Sequence, residues 1–133
     1  MNLTVLPAQQ SSTETTIAVS AVNLTKTYGT GAQSVRAVDG ISLVIPRGSF
    51  TAIMGPSGSG KSTLMHCLAG LDSVTSGRVF LGGHEISQLR DAELTKLRRD
   101  RVGFVFQSFN LLPTLTARQN ILLPLRPGRP PSR

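Results

Sequence analysis

A single cysteine, Cys67, stands among the 133 residues. No internal disulfide can brace the chain, and this cysteine usage fits a reducing compartment. Aromatic residues make up only 5% of the sequence, with one tyrosine, and they are not interleaved with the basic residues. That removes the stacking platform single-stranded nucleic acids use, and neither a zinc pattern nor a helix-turn-helix pattern accompanies the net charge of +7. Nucleic acid is therefore not an expected partner. Apolar runs stay well short of the ~18 residues of a membrane span, and the N-terminus lacks the basic-then-apolar order of a signal peptide. The expected location is the cytoplasm. Acidic residues number 7 against 14 Lys and Arg. Part of that excess is Arg126, Arg129 and Arg133 in a Pro-rich tail, and Arg98, Arg99 and Arg101 read as the solvated face of a helix.

What the sequence does have is Gly55-Pro56-Ser57-Gly58-Ser59-Gly60-Lys61-Ser62, which fits the phosphate-loop template G-x-x-x-x-G-K-[ST] at every fixed position. Gly55, Gly58 and Gly60 leave out side chains that would keep backbone N–H groups away from phosphate oxygens, and they tolerate positive φ. Lys61 adds a mobile charge for the outer phosphates, Ser62 offers a hydroxyl to Mg²⁺, and a helix starting near Gly60 points its positive end at the anion. A Gly/Ser turn matching by accident is the alternative. The flanks argue against it: Phe50 to Met54 is a short apolar run suited to a strand, and Leu64, Leu68 and Leu71 recur at helical spacing after Ser62.

The remaining pattern places two strands ahead of the loop. Ile17, Val19, Ala21 and Leu24 mark the first, which ends at the turn Tyr28-Gly29-Thr30-Gly31. The second runs from Gln33 to Ile45 with a break at Asp39-Gly40. After the loop helix, Arg78 to Leu81 reads as a short strand. Leu89, Ala92, Leu94 and Leu97 read as one face of an amphipathic helix that Ser87 could cap. Val102 to Phe106 is a continuous apolar run, expected as a strand covered on both faces. Thr116 with Gln119 fits a capping box for a last short helix, which Pro124 stops. His66 beside Cys67 reads as part of a packed helix face rather than a metal pair, because adjacent helical side chains point about 100° apart. The expected organisation is a flexible leader over 1–16, a nucleotide-binding region over 17–125 and a disordered Pro/Arg tail over 126–133.

Several blocks together resemble the nucleotide-binding subunit of an ABC transporter: Tyr28-Gly29, Val38 to Leu43, Gly55 to Thr63, Leu68 to Asp72 and Thr75-Ser76-Gly77. The stretch Leu97 to Pro113, with Leu115-Thr116 and Asn120-Ile121, is similar to the lipoprotein-releasing and macrolide-exporter branch. The resemblance implies an α/β fold, a P-loop NTPase core with an N-terminal antiparallel β-subdomain. It implies ATP and Mg²⁺ as ligands, with the phosphates held by Gly55, Pro56, Ser57, Gly58, Ser59, Gly60, Lys61, Ser62 and Thr63. Tyr28 would stack on adenine, the alternative being a plain exposed tyrosine at a strand end. Gln107 would reach the metal together with Ser62, while its loop touches a membrane-spanning permease, with Phe109, Leu111 and Leu112 as docking candidates. A dimer of such subunits, peripheral on the inner face of the cell membrane, is the family's working form.

The same resemblance implies later parts that these residues do not contain: a Leu-Ser-Gly-Gly-Gln signature, a strand ending in Asp-Glu and a switch histidine. His66 and His84 stand too early to serve as the last. The expectation is a chain truncated before the signature and Walker B segments, without a hydrolytic residue set, that binds MgATP at most. The alternative is a non-hydrolytic nucleotide-binding or permease-docking module. With the neighbours of the loop strand missing, the isolated chain is expected to be poorly stable. Urea should unfold it over a broad transition with a slope below that of a fully folded domain of this length, whereas a sharp transition of full slope would contradict the expectation.

Overall fold

The computed structural model describes residues 4–6, 16–105 and 110–123. In chain order the elements are β1 (Thr4–Leu6), β2 (Ile17–Tyr28), β3 (Val35–Pro46), β4 (Ala52–Met54), helix α1 (Lys61–Leu68), β5 (Ser76–Leu81), β6 (His84–Glu85), α2 (Asp91–Arg101) and α3 (Ala117–Leu122). A single turn of 3-10 helix, Gly31–Gln33, joins β2 to β3. Four strands make an antiparallel sheet in the order β3-β2-β5-β6, and β1 pairs with β4 in a separate two-stranded sheet. This is the antiparallel N-terminal subdomain with an α/β core that the sequence led one to expect.

Strand β2 lies inside the sheet, hydrogen-bonded to β3 on one side and to β5 on the other. A register shift between Ala21 and Leu24 breaks the alternation and turns both to the inner face, where Val38 of β3 and Val79 and Leu81 of β5 join them. Helix α1 lies on that face and closes the core with Leu64, Cys67 and Leu68, spaced so that one helical stripe faces the sheet. Burial raises the pKa of the Cys67 thiol, so it packs as a neutral apolar group. The strands are not regular: β2 and β3 change register at four places, one beside Gly40, whose φ is +62°. The expected break at Asp39-Gly40 is thus a bulge inside a continuous strand.

Three expectations need correction. Residues 1–16 were read as a flexible leader, yet Thr4–Leu6 forms β1 and pairs antiparallel with the loop strand, Val5 opposite Ile53. A three-residue Thr-Val-Leu segment is enough to satisfy one edge of β4, whose N–H and C=O groups need partners. The run Val102 to Phe106 was read as a strand covered on both faces. Residues 102–105 are not in a strand, and Val105 is fully exposed; the Val102 amide instead closes the end of α2 by donating to the Arg98 carbonyl at 2.9 Å, and Phe106 lies outside the described residues. Ser87 does not cap α2. Its hydroxyl accepts from the Val79 amide at 3.3 Å and donates to Glu85 at 3.0 Å, joining β5 to β6 instead. The start of α2 is held by the Glu93 carboxylate, which accepts from the Arg90 amide at 3.3 Å.

The capping box of α3 forms as the sequence indicates. Thr116 Oγ1 accepts from the Gln119 amide at 3.3 Å, and Gln119 Oε1 accepts from the Thr116 amide at 2.9 Å. Asn120 then ties the preceding loop down: its Oδ1 accepts from the Leu112 amide at 2.9 Å, and its Nδ2 donates to the Leu115 and Thr116 carbonyls. The tail over 126–133 lies outside the described residues. Leu24 is 0% exposed between helix and sheet, so Leu24→Ala is expected to cost about 2–5 kcal/mol, read as a lowered unfolding temperature by circular dichroism.

Candidate phosphate-binding site

Strand β4 delivers the chain into the loop 55–60, and α1 begins immediately after it. Gly58 and Gly60 both take positive φ, +78° and +84°. At Gly60 the requirement is double, because a Cβ there would also run into the Ala37 carbonyl of β3. The close approach lets the helix start against the sheet. The first helical hydrogen bond runs from the Leu64 amide to the Gly60 carbonyl at 2.8 Å. Ahead of it, the amides of Gly58, Gly60, Lys61, Ser62 and Thr63 have no acceptor among the described residues. Unpaired donors at a helix start carry the positive end of its dipole.

The lysine is folded over this arc. Lys61 Nζ donates to the Pro56 carbonyl at 2.6 Å and lies 3.5 Å from Ser59 Oγ, so the ammonium spans the loop. Ser59 is buried and its amide closes a turn onto the Pro56 carbonyl at 3.3 Å. Ser62 is exposed, and its hydroxyl has no hydrogen-bond partner among the described residues. Such a hydroxyl beside phosphate donors suits Mg²⁺, which binds through few protein ligands plus phosphate oxygens and water. No group of three or more His, Cys, Asp or Glu suited to a metal lies among the described residues, so any metal here depends on the phosphates for most of its ligands. Gln107 and Phe109 lie outside the described residues. Leu111 and Leu112 are 64% and 46% exposed.

Tyr28 closes β2 at the side of α1. Its hydroxyl donates to Asp72 Oδ2 at 2.7 Å, and that bond to a carboxylate raises the phenol pKa and keeps it protonated. The other carboxylate oxygen, Oδ1, accepts from Lys26 Nζ at 2.7 Å. Lys26 is 7% exposed, donates also to the Ser73 carbonyl at 2.7 Å, and sits 4.8 Å above the Tyr28 ring centroid. Sequence reasoning missed this cluster. Nothing local to Asp72 signals a partner 46 residues away.

A family profile described as ABC transporter matches residues 38–132. The chain belongs to that family. The ABC relatives of highest similarity include an ATP-binding protein of Methanocaldococcus jannaschii, MJ0796, 50% identical over 103 residues, which are 77% of this chain and 44% of that protein. The macrolide export ATP-binding/permease protein MacB of Chlorobaculum tepidum is 51% identical over 80% of this chain and 16% of its own length. The bacitracin export protein BceA of Halalkalibacterium halodurans is 43% identical over 79% and 42%. A solved dimeric structure of MJ0796 bound to ADP and Pi superposes with a TM-score of 0.76 at 50% identity, over 80% of this chain and 46% of that one. The chain therefore spans less than half the length of these relatives, and what it shares with them is the ABC ATPase fold of their nucleotide-binding region. Among the described residues no helix is long and apolar enough to cross a membrane.

The Lys26 ammonium and the Tyr28 hydroxyl, in that order, hold the Asp72 carboxyl below its ordinary pKa. A depressed folded-state value means that the unfolded chain binds the proton first, at about pH 4. The stability supplied by Asp72 is therefore complete above that pH and is lost as the pH falls through the folded-state value. Stability measured from pH 6 downward should decline less steeply for Asp72→Asn than for the native chain.

Proposed function

We propose that this chain binds MgATP and forms the ATP-binding portion of an ABC transporter ATPase subunit that energises export across the membrane. The observation that carries the reading is the arc of unpaired amides of Gly58, Gly60, Lys61, Ser62 and Thr63 with the Lys61 ammonium folded over it. A polyphosphate supplies the acceptors those donors lack. Lys61 can leave the Pro56 carbonyl for an outer phosphate, because a charge-assisted bond to an anion is stronger than one to a neutral carbonyl. The loop glycines bring backbone donors close, and Ser62 and Gln107 would hold Mg²⁺, which would supply positive charge to the phosphate oxygens. Tyr28 provides a ring for the adenine at the flank of the same helix.

The relatives that carry names for macrolide and bacitracin export support an export role, and the dimeric MJ0796 structures support pairing of two such subunits. The Gln107 loop, followed by exposed Leu111 and Leu112, is the candidate contact with a membrane-spanning permease on the cytoplasmic side. These 133 residues bind the nucleotide without turning it over, since no apolar strand ending in Asp-Glu stands in their sequence to supply a general base.

Titration of the chain with ATP in the presence of Mg²⁺ should show saturable binding. Lys61→Ala should weaken it at least about tenfold, the value of one charged hydrogen bond. Phosphate release should stay at background in both. Catalytic release that Lys61→Ala abolishes would refute the non-hydrolytic part of the reading, and unchanged affinity in that variant would refute the site.

A further inference from the structure

The geometry points to Asp72 as a positioning residue for the purine platform: one carboxylate holds both the Tyr28 hydroxyl and the Lys26 ammonium, fixing a cation–ring pair whose open face receives the base. The inference rests on the nucleotide reading above and extends it to a residue outside the phosphate loop.

Each oxygen of Asp72 has its own task. Oδ2 accepts from the phenol at 2.7 Å, and Oδ1 accepts from Lys26 at 2.7 Å. Lys26 cannot drift, because it is 7% exposed and its ammonium also donates to the Ser73 carbonyl at 2.7 Å. It lies over the Tyr28 ring at 4.8 Å from the centroid, so it occupies one face. Tyr28 remains 43% exposed, which makes the face turned away from the ammonium the one open to a flat ligand. A cation behind the ring draws π-electron density toward itself and leaves the front face a better partner for an electron-rich purine.

The platform is also anchored to the phosphate site. Asp72 follows α1 in a tight turn, with the amides of Leu71 and Asp72 both donating to the His66 carbonyl at 2.8 and 3.3 Å. The Thr63 hydroxyl, on the first turn of α1, interacts with the same phenol oxygen. One helix therefore presents phosphate donors at its start and, through Asp72 beyond its end, sets the ring that faces the base. A tyrosine free to rotate would have to be ordered on binding, and that entropy would be subtracted from the affinity.

The test compares ATP with inorganic tripolyphosphate, which carries the phosphates and no base, by calorimetric titration of the 133-residue chain in Mg²⁺. Complete loss of a base stack corresponds to roughly 5- to 150-fold. Asp72→Ala is expected to weaken ATP several-fold within that range while tripolyphosphate changes by less than about twofold. Tyr28→Phe keeps the ring and the Lys26–Asp72 pair, so folding is not at stake, and it should lose about threefold or more toward ATP alone. If ATP affinity is unaltered in Tyr28→Phe, or if both ligands weaken together in both variants, Asp72 merely supports the fold and the inference falls. A native chain that binds tripolyphosphate but gains nothing from the base refutes the platform alone, while one that binds neither ligand refutes the nucleotide reading and the platform together.

Discussion

Helix α1 can aim its free amides at a phosphate only because its opposite stripe is fixed. Leu64, Cys67 and Leu68 are buried against Ala21, Leu24, Val38 and Val79 of the antiparallel sheet, and that apolar contact sets the axis along which the dipole and the first-turn donors point. The loop in front has little support of its own, since most of it is exposed. Its shape comes from positive φ at Gly58 and Gly60 and from the contact of Gly60 with Ala37 on β3. The antiparallel subdomain is thus the foundation of the site as well as its neighbour.

Charge is handled differently at the two ends of this arrangement. In the loop, donors outnumber acceptors, and Lys61 adds a cation to an already positive helix start, an imbalance that only an anion relieves. At Lys26 and Asp72 the balance is closed: no buried side-chain nitrogen or oxygen among the described residues lacks a partner. The first region is prepared for a ligand and the second is prepared to keep its shape.

The strand β4 shows how an edge can be met by a segment of only three residues. Its pairing with β1 supplies main-chain partners along one side, while Ile53 and Met65 still line an apolar groove of about 520 Å³ with Ile17, Ile45 and Leu81. In the relatives the matched region makes up less than half of the length, and further residues stand outside it. Val102 and Gly103, just past α2, border the same groove.

Local chemistry was legible from the sequence alone. The phosphate-loop glycines and Lys61, the helical stripe of Leu64 and Leu68, an irregularity at Gly40 and the Thr116–Gln119 cap each depend on residues within one or two turns of one another, so spacing suffices to read them. Tertiary structure alone decided the rest. The pairing of Thr4–Leu6 with β4, the loose course of residues 102–105, and the joining of Lys26, Tyr28 and Asp72 depend on which segments meet across 44 or more residues of chain. Such meetings are set by shared burial and by the need of each backbone and charged group for a partner. An apolar run states that it wants cover, and only the packed chain says whether cover arrives.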